Sequence, residues 1–160
     1  MTIRLANDAD HDAVWPILHE TFRTGDTYAV DPNISKTVAL DYWMTQPAAT
    51  YVVETTEGIA GTYYIKTNQQ GRGAHICNCG YIVSARARGQ GLARQMCEHS
   101  QTEAVGLGYK AMQFNFVLAS NTGAVLLWDK LGFGTIGTIP DAFDHPKQGM
   151  VDAYIMYKAL

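Results

Sequence analysis

The order of apolar and polar positions predicts a chain that mixes helices with strands. Residues 2–6 alternate as a short strand, while residues 8–24 and 36–46 repeat with the period of an amphipathic helix. Two alternating segments, 49–55 and 59–67, flank a short turn. The first half of the chain therefore predicts a strand, two helices and an antiparallel hairpin.

The second half is organised around a glycine-rich turn. We expect a strand at 75–83, a helix at 92–106 after the turn, and a second strand at 110–118. A helix at 122–131 follows, and the chain ends in two strands joined by a loop over 139–149. Because strand–helix–strand connections favour parallel neighbours, the sequence predicts an α+β fold (mixed α/β) with a parallel pair at the centre of its sheet.

Length and composition indicate an ordinary globule and narrow the functional class. The 160 residues are 47% hydrophobic and 17% charged, which fits one domain spanning residues 1–160. Since no apolar run reaches ~20 residues and the N-terminus is polar, we expect no membrane association and a cytoplasmic location. The net charge of −3 argues against a nucleic-acid partner, which would require a broad basic face.

Three cysteines, Cys77, Cys79 and Cys97, stand in a strand and a helix. Their odd number and the absence of a C-x-x-C pair favour reduced, buried thiols over a disulfide framework or a zinc site. We therefore expect no metal.

The segment SARARGQGLARQ (84–95) concentrates three of the chain's twelve basic residues beside two glycines. Gly89 and Gly91 remove the Cβ atoms that would keep a ligand away from the backbone. A glycine-rich turn between a strand and a helix directs free N–H groups and the positive helix end toward an anion. The loop is neither a dinucleotide fingerprint, because Arg94 occupies its third glycine position, nor a Walker A loop, because it lacks Gly-Lys-Ser/Thr.

Two blocks of the sequence resemble one enzyme family. RARGQGLA (86–93) matches the R/Q-x-x-G-x-G/A signature of the GNAT superfamily of N-acetyltransferases, and NTGAVLLWDKLGF (121–133) matches the family's second block. The predicted element order over residues 2–160 also fits. The resemblance implies a twisted, mostly antiparallel sheet with one splayed parallel strand pair and about four helices. It also implies direct transfer of an acetyl group from acetyl-CoA to an amine.

The resemblance further implies where coenzyme A binds. The amides of residues 88–94 would hold the pyrophosphate, and the pantetheine arm would lie between the strands at 75–83 and 110–118. A backbone N–H near Ile82 or Val83 would meet the oxyanion, which is worth ~3 kcal/mol in other enzymes. The implied coenzyme A residues are Ile82, Val83, Arg88, Gly89, Gln90, Gly91, Leu92, Ala93, Arg94, Asn121, Ala124 and Trp128. The arginines among them support the phosphates or are ordinary surface side chains.

Trp128 departs from the pattern of many relatives, which place a proton-donating tyrosine at this position. An indole N–H has no accessible pKa near neutrality and cannot donate a proton to the leaving thiolate. A thiol with a reference pKa of ~8.5 can leave without full proton transfer, so the loss of the tyrosine is tolerable.

Asparagines are the candidate catalytic residues. Asn78 and Asn115 lie within predicted strands, where asparagine is disfavoured, and buried amides need partners. They line the acceptor cleft, with Phe116 beside them, or they form a structural bridge between strands. Asn121 contacts coenzyme A and the reacting groups, or it only caps the following helix.

The sequence offers two alternatives for the group that accepts the proton of the amine. His145 has a suitable reference pKa and lies in the predicted loop 139–149, where it is a candidate for the acceptor site. Alternatively, Asp144-His145-Pro146 only shapes a turn, and water accepts the proton. Tyr63 and Tyr64 cannot both face the cleft, because neighbouring strand residues point to opposite faces.

The leading hypothesis is an acetyl-CoA-dependent N-acetyltransferase of a small-molecule amine, an amino acid or an analogue. The strand asparagines, Trp128 and the C-terminal segment resemble a sub-branch of bacterial and fungal enzymes that acetylate proline-like amino acids. The alternatives are a protein or peptide N-acetyltransferase, disfavoured because the loop 139–149 is expected to cover the groove, and a non-catalytic acyl-CoA sensor. Relatives are often homodimers, so the resemblance also implies a homodimer.

Overall fold

The computed structural model describes residues 1–160 and is built on a seven-stranded sheet with the strand order β1-β2-β3-β4-β5-β7-β6. All neighbouring strands are antiparallel except β4 and β5, which are parallel. The predicted fold class is therefore confirmed. The strands are β1 (Thr2–Leu5), β2 (Ala49–Thr55), β3 (Gly58–Thr67), β4 (Ile76–Val83), β5 (Ala111–Leu118), β6 (Gly134–His145) and β7 (Gly149–Ala159).

Four α-helices pack on the sheet, as predicted. They are α1 (His11–Thr24), α2 (Lys36–Leu40), α3 (Leu92–Gly106) and α4 (Thr122–Lys130). The α2 segment continues as a π-helical turn through Asp41–Thr45, so that the helical stretch reaches the length expected from its sequence period. None of these helices is long and apolar enough to cross a lipid bilayer.

The sheet separates two hydrophobic clusters. One joins α3 and α4 to the sheet and includes Tyr63 and Met96, while the other joins α1 and α2 and includes Trp43 and Tyr64. Tyr63 and Tyr64 are adjacent in β3 and point into different clusters, because side chains alternate across a strand.

The parallel strands β4 and β5 stay together over only two residue pairs, Ile76–Ala111 and Cys77–Met112. Beyond these pairs the strands separate. The register between β5 and β7 shifts between Phe114 and Val117, which is a β-bulge in the strand that leaves β4. Since a bulge bends its strand, this irregularity helps to open a gap between the carboxyl halves of β4 and β5.

The prediction of a loop over residues 139–149 is wrong. β6 runs on to His145, which pairs with Gly149 of β7, and only the turn at 146–148 connects the two strands. Pro140 cannot donate a ladder hydrogen bond. It is tolerated here because β6 is an edge strand whose register to β7 shifts between Ile139 and Phe143.

Candidate active site

Two cavities meet at the gap between β4 and β5. The first, which we call the strand cavity, has a volume of about 270 Å³ and is lined by β3, β4, β5 and the loop after α1. The second, the loop cavity, has a volume of about 670 Å³ and is lined by residues of the glycine-rich segment and of α4. Trp128 is the one residue that lines both cavities.

The glycine-rich segment leaves its backbone open to the loop cavity. Gly89 and Gly91 have φ values of +76° and +75°, in the left-handed region that glycine adopts without steric cost. A Cβ atom added to either glycine would meet no other atom within 4 Å. Gly91 is also the N-cap of the fifteen-residue helix α3, whose first N–H groups have no intrahelical partner. This arrangement suits an anionic group beside the loop.

Two arginines of this segment, Arg88 and Arg94, line the loop cavity and are exposed. The Nε of Arg94 already lies 2.9 Å from a carboxylate oxygen of Glu98, one helical turn along α3. The third, Arg86, has a structural contact, because its Nη2 donates to the carbonyl oxygen of Ile59 at 3.0 Å.

Ile82 and Val83 direct their backbone N–H groups to opposite sides of β4. The N–H of Ser84 donates to the carbonyl of Ala60 in β3, and the carbonyl of Ile82 also lies against β3, beside Gly61. Since alternate residues of a strand direct their backbone groups to the same side, the N–H of Ile82 is directed toward β3 and that of Val83 toward the gap. Of the two residues considered for the oxyanion donor, Val83 is therefore the one whose N–H faces the gap, whereas the N–H of Ile82 is used in the pairing with β3.

Not all of the other residues that were predicted to bind coenzyme A line the loop cavity. Leu92, Ala93 and Ala124 line the loop cavity, whereas Gln90 is exposed and is not part of its lining. Asn121 lines it too, and its Oδ1 accepts a 3.3 Å hydrogen bond from the N–H of Ala124, which is the helix-capping role. Asn121 does not line the strand cavity.

The structure brings the two strand asparagines together. Asn78 and Asn115 both line the strand cavity, as does Phe116 next to the bulge in β5. Asn78 is buried and donates from Nδ2 to the carbonyl of Gln113 at 2.9 Å, which bridges the diverging strands. Its Oδ1 accepts a 3.3 Å hydrogen bond from the Oη of Tyr64. Asn78 therefore has the structural contact considered from the sequence and also faces the cavity.

Asn115 has a different environment. It is exposed, its Nδ2 donates to Oδ1 of Asn68 at 2.6 Å, and its Oδ1 accepts from Nε2 of Gln113 at 3.0 Å. These three amides form a chain of hydrogen bonds, of which only Asn115 lines the strand cavity.

Three tyrosines that line the strand cavity, Tyr28, Tyr42 and Tyr81, were missed by the sequence analysis, and Tyr64, which it weighed together with Tyr63, lines the cavity too. The Oη of Tyr28 donates to the carbonyl of Tyr81 at 3.0 Å, which attaches the loop after α1 to the open edge of β4. Tyr64 fits only because residue 80 is glycine, since a Cβ at Gly80 would lie 2.6 Å from the Tyr64 ring. The sequence contains one signal for this wall of the cavity. The alternation in IAGTYYIKT places Tyr64 and Lys66 on the same face of β3.

No carboxylate and no histidine lines the strand cavity. Burial raises the pKa of Tyr28, Tyr64 and Tyr81 above the usual value for tyrosine, and it raises the pKa of the Cys79 thiol. These groups remain protonated near neutral pH and act as hydrogen-bond donors rather than as bases.

The predicted acceptor-site role of His145 is not supported by its position. His145 ends β6, is buried, and does not line the strand cavity. Its Nδ1 accepts a 3.1 Å hydrogen bond from the backbone N–H of Lys147, which stabilises the turn into β7. His145 lies outside the cavity because β6 continues as a strand where a covering loop was expected.

Trp128 packs against other aromatic side chains. The residue is 8% exposed, and its ring centre lies 5.1 Å from that of Tyr81 and 5.2 Å from that of Phe114. The indole thus forms an aromatic wall at the point where the two cavities join.

The family model for the acetyltransferase (GNAT) family matches residues 12–133. The chain belongs to the GNAT acetyltransferase family. The GNAT sheet, with its single parallel pair next to a glycine-rich turn, is the fold described above, and the chain is an N-acetyltransferase.

Several known acetyltransferases resemble this GNAT enzyme over most of its length. N-acetyltransferase aca1 of Schizosaccharomyces pombe is 34% identical over 148 residues, which cover 82% of this chain and 71% of that protein. The structure of a GCN5-related N-acetyltransferase from Kribbella flavida superposes with a TM-score of 0.94 at 39% identity, covering 99% of this chain and 97% of that one. A phosphinothricin acetyltransferase from Sinorhizobium meliloti, solved in complex with acetyl-CoA, shares the fold with a TM-score of 0.85 at 19% identity, covering 99% and 88%.

Proposed function

We propose that this GNAT enzyme transfers the acetyl group of acetyl-CoA directly to the amine of a small molecule, with both substrates bound together. The observation that carries the proposal is the pair of cavities that meet at Trp128, on the side of β4 where the backbone is unpaired. One cavity accommodates the acetyl donor and the other the amine.

The loop cavity fits acetyl-CoA. The open backbone at Gly89 and Gly91 and the first turn of α3 offer N–H groups to the pyrophosphate. Positive charge for the pyrophosphate comes from Arg88 and Arg94. The Sinorhizobium meliloti enzyme of the same fold was solved in complex with acetyl-CoA, which supports acetyl-CoA as the acetyl donor. When bound, acetyl-CoA supplies an activated thioester.

The strand cavity supports a small acceptor. Its volume of about 270 Å³ is below the ~300–1,000 Å³ range of sites for drug-sized ligands. Aromatic walls surround the two amides of Asn78 and Asn115 there, so a compact amine with one apolar side is favoured. Together with Trp128, these features favour the sub-branch that acetylates proline-like amino acids.

The residues at the junction have separate tasks in this proposal. The N–H of Val83 donates to the acetyl oxygen as its negative charge increases, at a position set by the β3 ladder. Asn78 and Asn115 orient the amine, and Trp128 excludes water from one side. Because no carboxylate and no histidine lines the strand cavity, the proton of the amine passes to water.

Peptide acetylation is the second candidate, and one observation favours it. The segment expected to cover the groove is a paired strand and a tight turn, so the groove is less covered than the sequence predicted.

A thiol-release assay with acetyl-CoA tests the proposal. The panel contains free amino acids, simple amines, and peptides that begin with the same residues. We expect turnover of free amines with kcat/KM at least tenfold above that of the matched peptides. Faster turnover of the peptides would establish the second candidate, and acetyl-CoA binding without turnover of any amine would contradict the transfer function.

A further inference from the structure

We propose that Lys66 binds a carboxylate of the acceptor, and that the acceptor is therefore a free amino acid. This inference rests on the proposed function and makes its acceptor class specific. It follows from the charge of the strand cavity, the position of Lys66 within it, and the lack of a counter-ion.

The charge of the strand cavity is carried by a single side chain. Of its 15 lining residues, Lys66 is the only one with a formal charge at neutral pH, and the others are apolar, aromatic, hydroxyl, thiol or amide side chains. A cavity of this kind favours an anionic group, because an opposite charge near Lys66 gains Coulomb energy that water screens less than at the open surface.

Lys66 is placed beside the candidate acceptor residues. β3 and β4 pair Lys66 directly with Asn78, so the two side chains share one face of the sheet. The Nζ of Lys66 lies 5.7 Å from the centre of the Tyr42 ring and 5.9 Å from that of Tyr64, and both rings line the same cavity. The ammonium group is therefore held against the cavity wall by the faces of two tyrosines.

The ammonium group has no acidic partner in the chain. Lys36 pairs with Asp12, and Lys158 donates to Oε1 of Gln101 and to a backbone carbonyl, but Lys66 forms neither an ion pair nor a hydrogen bond with any protein group. A partly buried cation without a counter-ion lacks compensation for its lost hydration. A carboxylate supplied by the acceptor provides it.

The same charge also affects the reacting amine. A positive group in the strand cavity repels an ammonium ion and favours binding of the neutral, nucleophilic amine. The cation therefore selects the carboxylate and disfavours acceptors with a second positive charge, such as diamines.

The test compares three forms of the best acceptor from the amine panel: the amino acid, its carboxamide and its decarboxylated amine. Wild type is expected to show a KM at least tenfold lower for the amino acid than for either other form. Lys66→Met should raise the KM for the amino acid at least tenfold and leave the carboxamide within twofold, with kcat little changed. Lys66→Arg should restore part of the preference.

Lys130→Met is the matched control, since Lys130 is an exposed lysine at the end of α4 that lines neither cavity. Equal loss for the amino acid and the carboxamide in Lys66→Met would overturn the inference while leaving the proposed function intact. Absence of turnover in wild type would overturn the proposed function. In that case, calorimetric binding of the amino acid in the presence of coenzyme A still tests Lys66, and equal affinity in wild type and Lys66→Met would overturn its role.

Discussion

Replacing Asn115 by alanine should separate acceptor chemistry from stability. Asn115 lies in the β5 bulge and lines the strand cavity, and the hydrogen bonds of its carboxamide go to the side chains of Asn68 and Gln113. The substitution removes the carboxamide and leaves the strand pairing to β7 unchanged, because the ladder uses backbone groups.

The expected magnitudes follow from this environment. Asn115 is exposed, so water replaces the lost amide contacts, and the free energy of unfolding should change by less than about 0.5 kcal/mol. If the carboxamide orients the acceptor, kcat/KM should fall at least tenfold, which corresponds to about 1.4 kcal/mol of transition-state stabilisation. The loss of activity then exceeds the loss of stability.

The measurements are thiol-release kinetics with the best acceptor and urea unfolding of the same preparations. Asn68→Ala is the control, since it removes the 2.6 Å hydrogen bond to Asn115 but keeps the Asn115 carboxamide. We expect Asn68→Ala to retain most of the activity. An Asn115→Ala variant with unchanged kcat/KM, or one whose activity falls only in proportion to its folded fraction, would refute the assignment to the acceptor.

Three further predictions concern other parts of the molecule. Gly91→Ala should weaken acetyl-CoA binding at least tenfold, as measured by calorimetry. The control is Gly108→Ala, at a glycine with φ of +93° and similarly open surroundings, which should strain the backbone without changing the affinity. Equal affinities in both variants would show that the loop is not part of the site. Trp128→Phe should keep most of kcat, and kcat/KM should rise with pH without a falling limb between about pH 8.5 and 10, so a bell-shaped profile would contradict an unassisted leaving thiolate. Hydrogen bonds from Arg4 lower the pKa of Asp10 below 3.8, so the stabilisation is present above that pH and is lost as the pH falls below it. Asp10→Asn should therefore flatten the decline in unfolding free energy between about pH 5 and pH 2, and a decline parallel to that of wild type would show that other groups cause it.

The parts of the molecule that were predictable from sequence depend on local patterns. The helix after Gly91 and the hairpin of β2 and β3 are visible as periods of apolar residues, and the two family blocks locate the loop cavity. The alternation of Tyr63 and Tyr64 also predicts correctly that they face opposite sides of the sheet.

The parts that were not predictable depend on contacts between distant segments. The wall of the strand cavity combines Tyr28 from the loop after α1 with Tyr64 from β3, and no sequence spacing relates these residues. Lys66 gains its position only through its pairing with Asn78 on the next strand. The continuation of β6 past Pro140 depends on its being an edge strand, which is a property of the sheet order and not of the local sequence.

The short contact between β4 and β5 has a mechanical consequence. Strands β1 to β4 form one half of the sheet and β5 to β7 the other. The backbone joins them through the pairs Ile76–Ala111 and Cys77–Met112 and through the hydrogen bond from Lys110 to His75 just before the strands. Side-chain links such as the hydrogen bond from Asn78 to Gln113 reinforce this seam, which is the least cross-linked line in the sheet. Under the proposed function, a donor substrate whose extended arm entered this gap would act as a missing strand and fasten the two halves together.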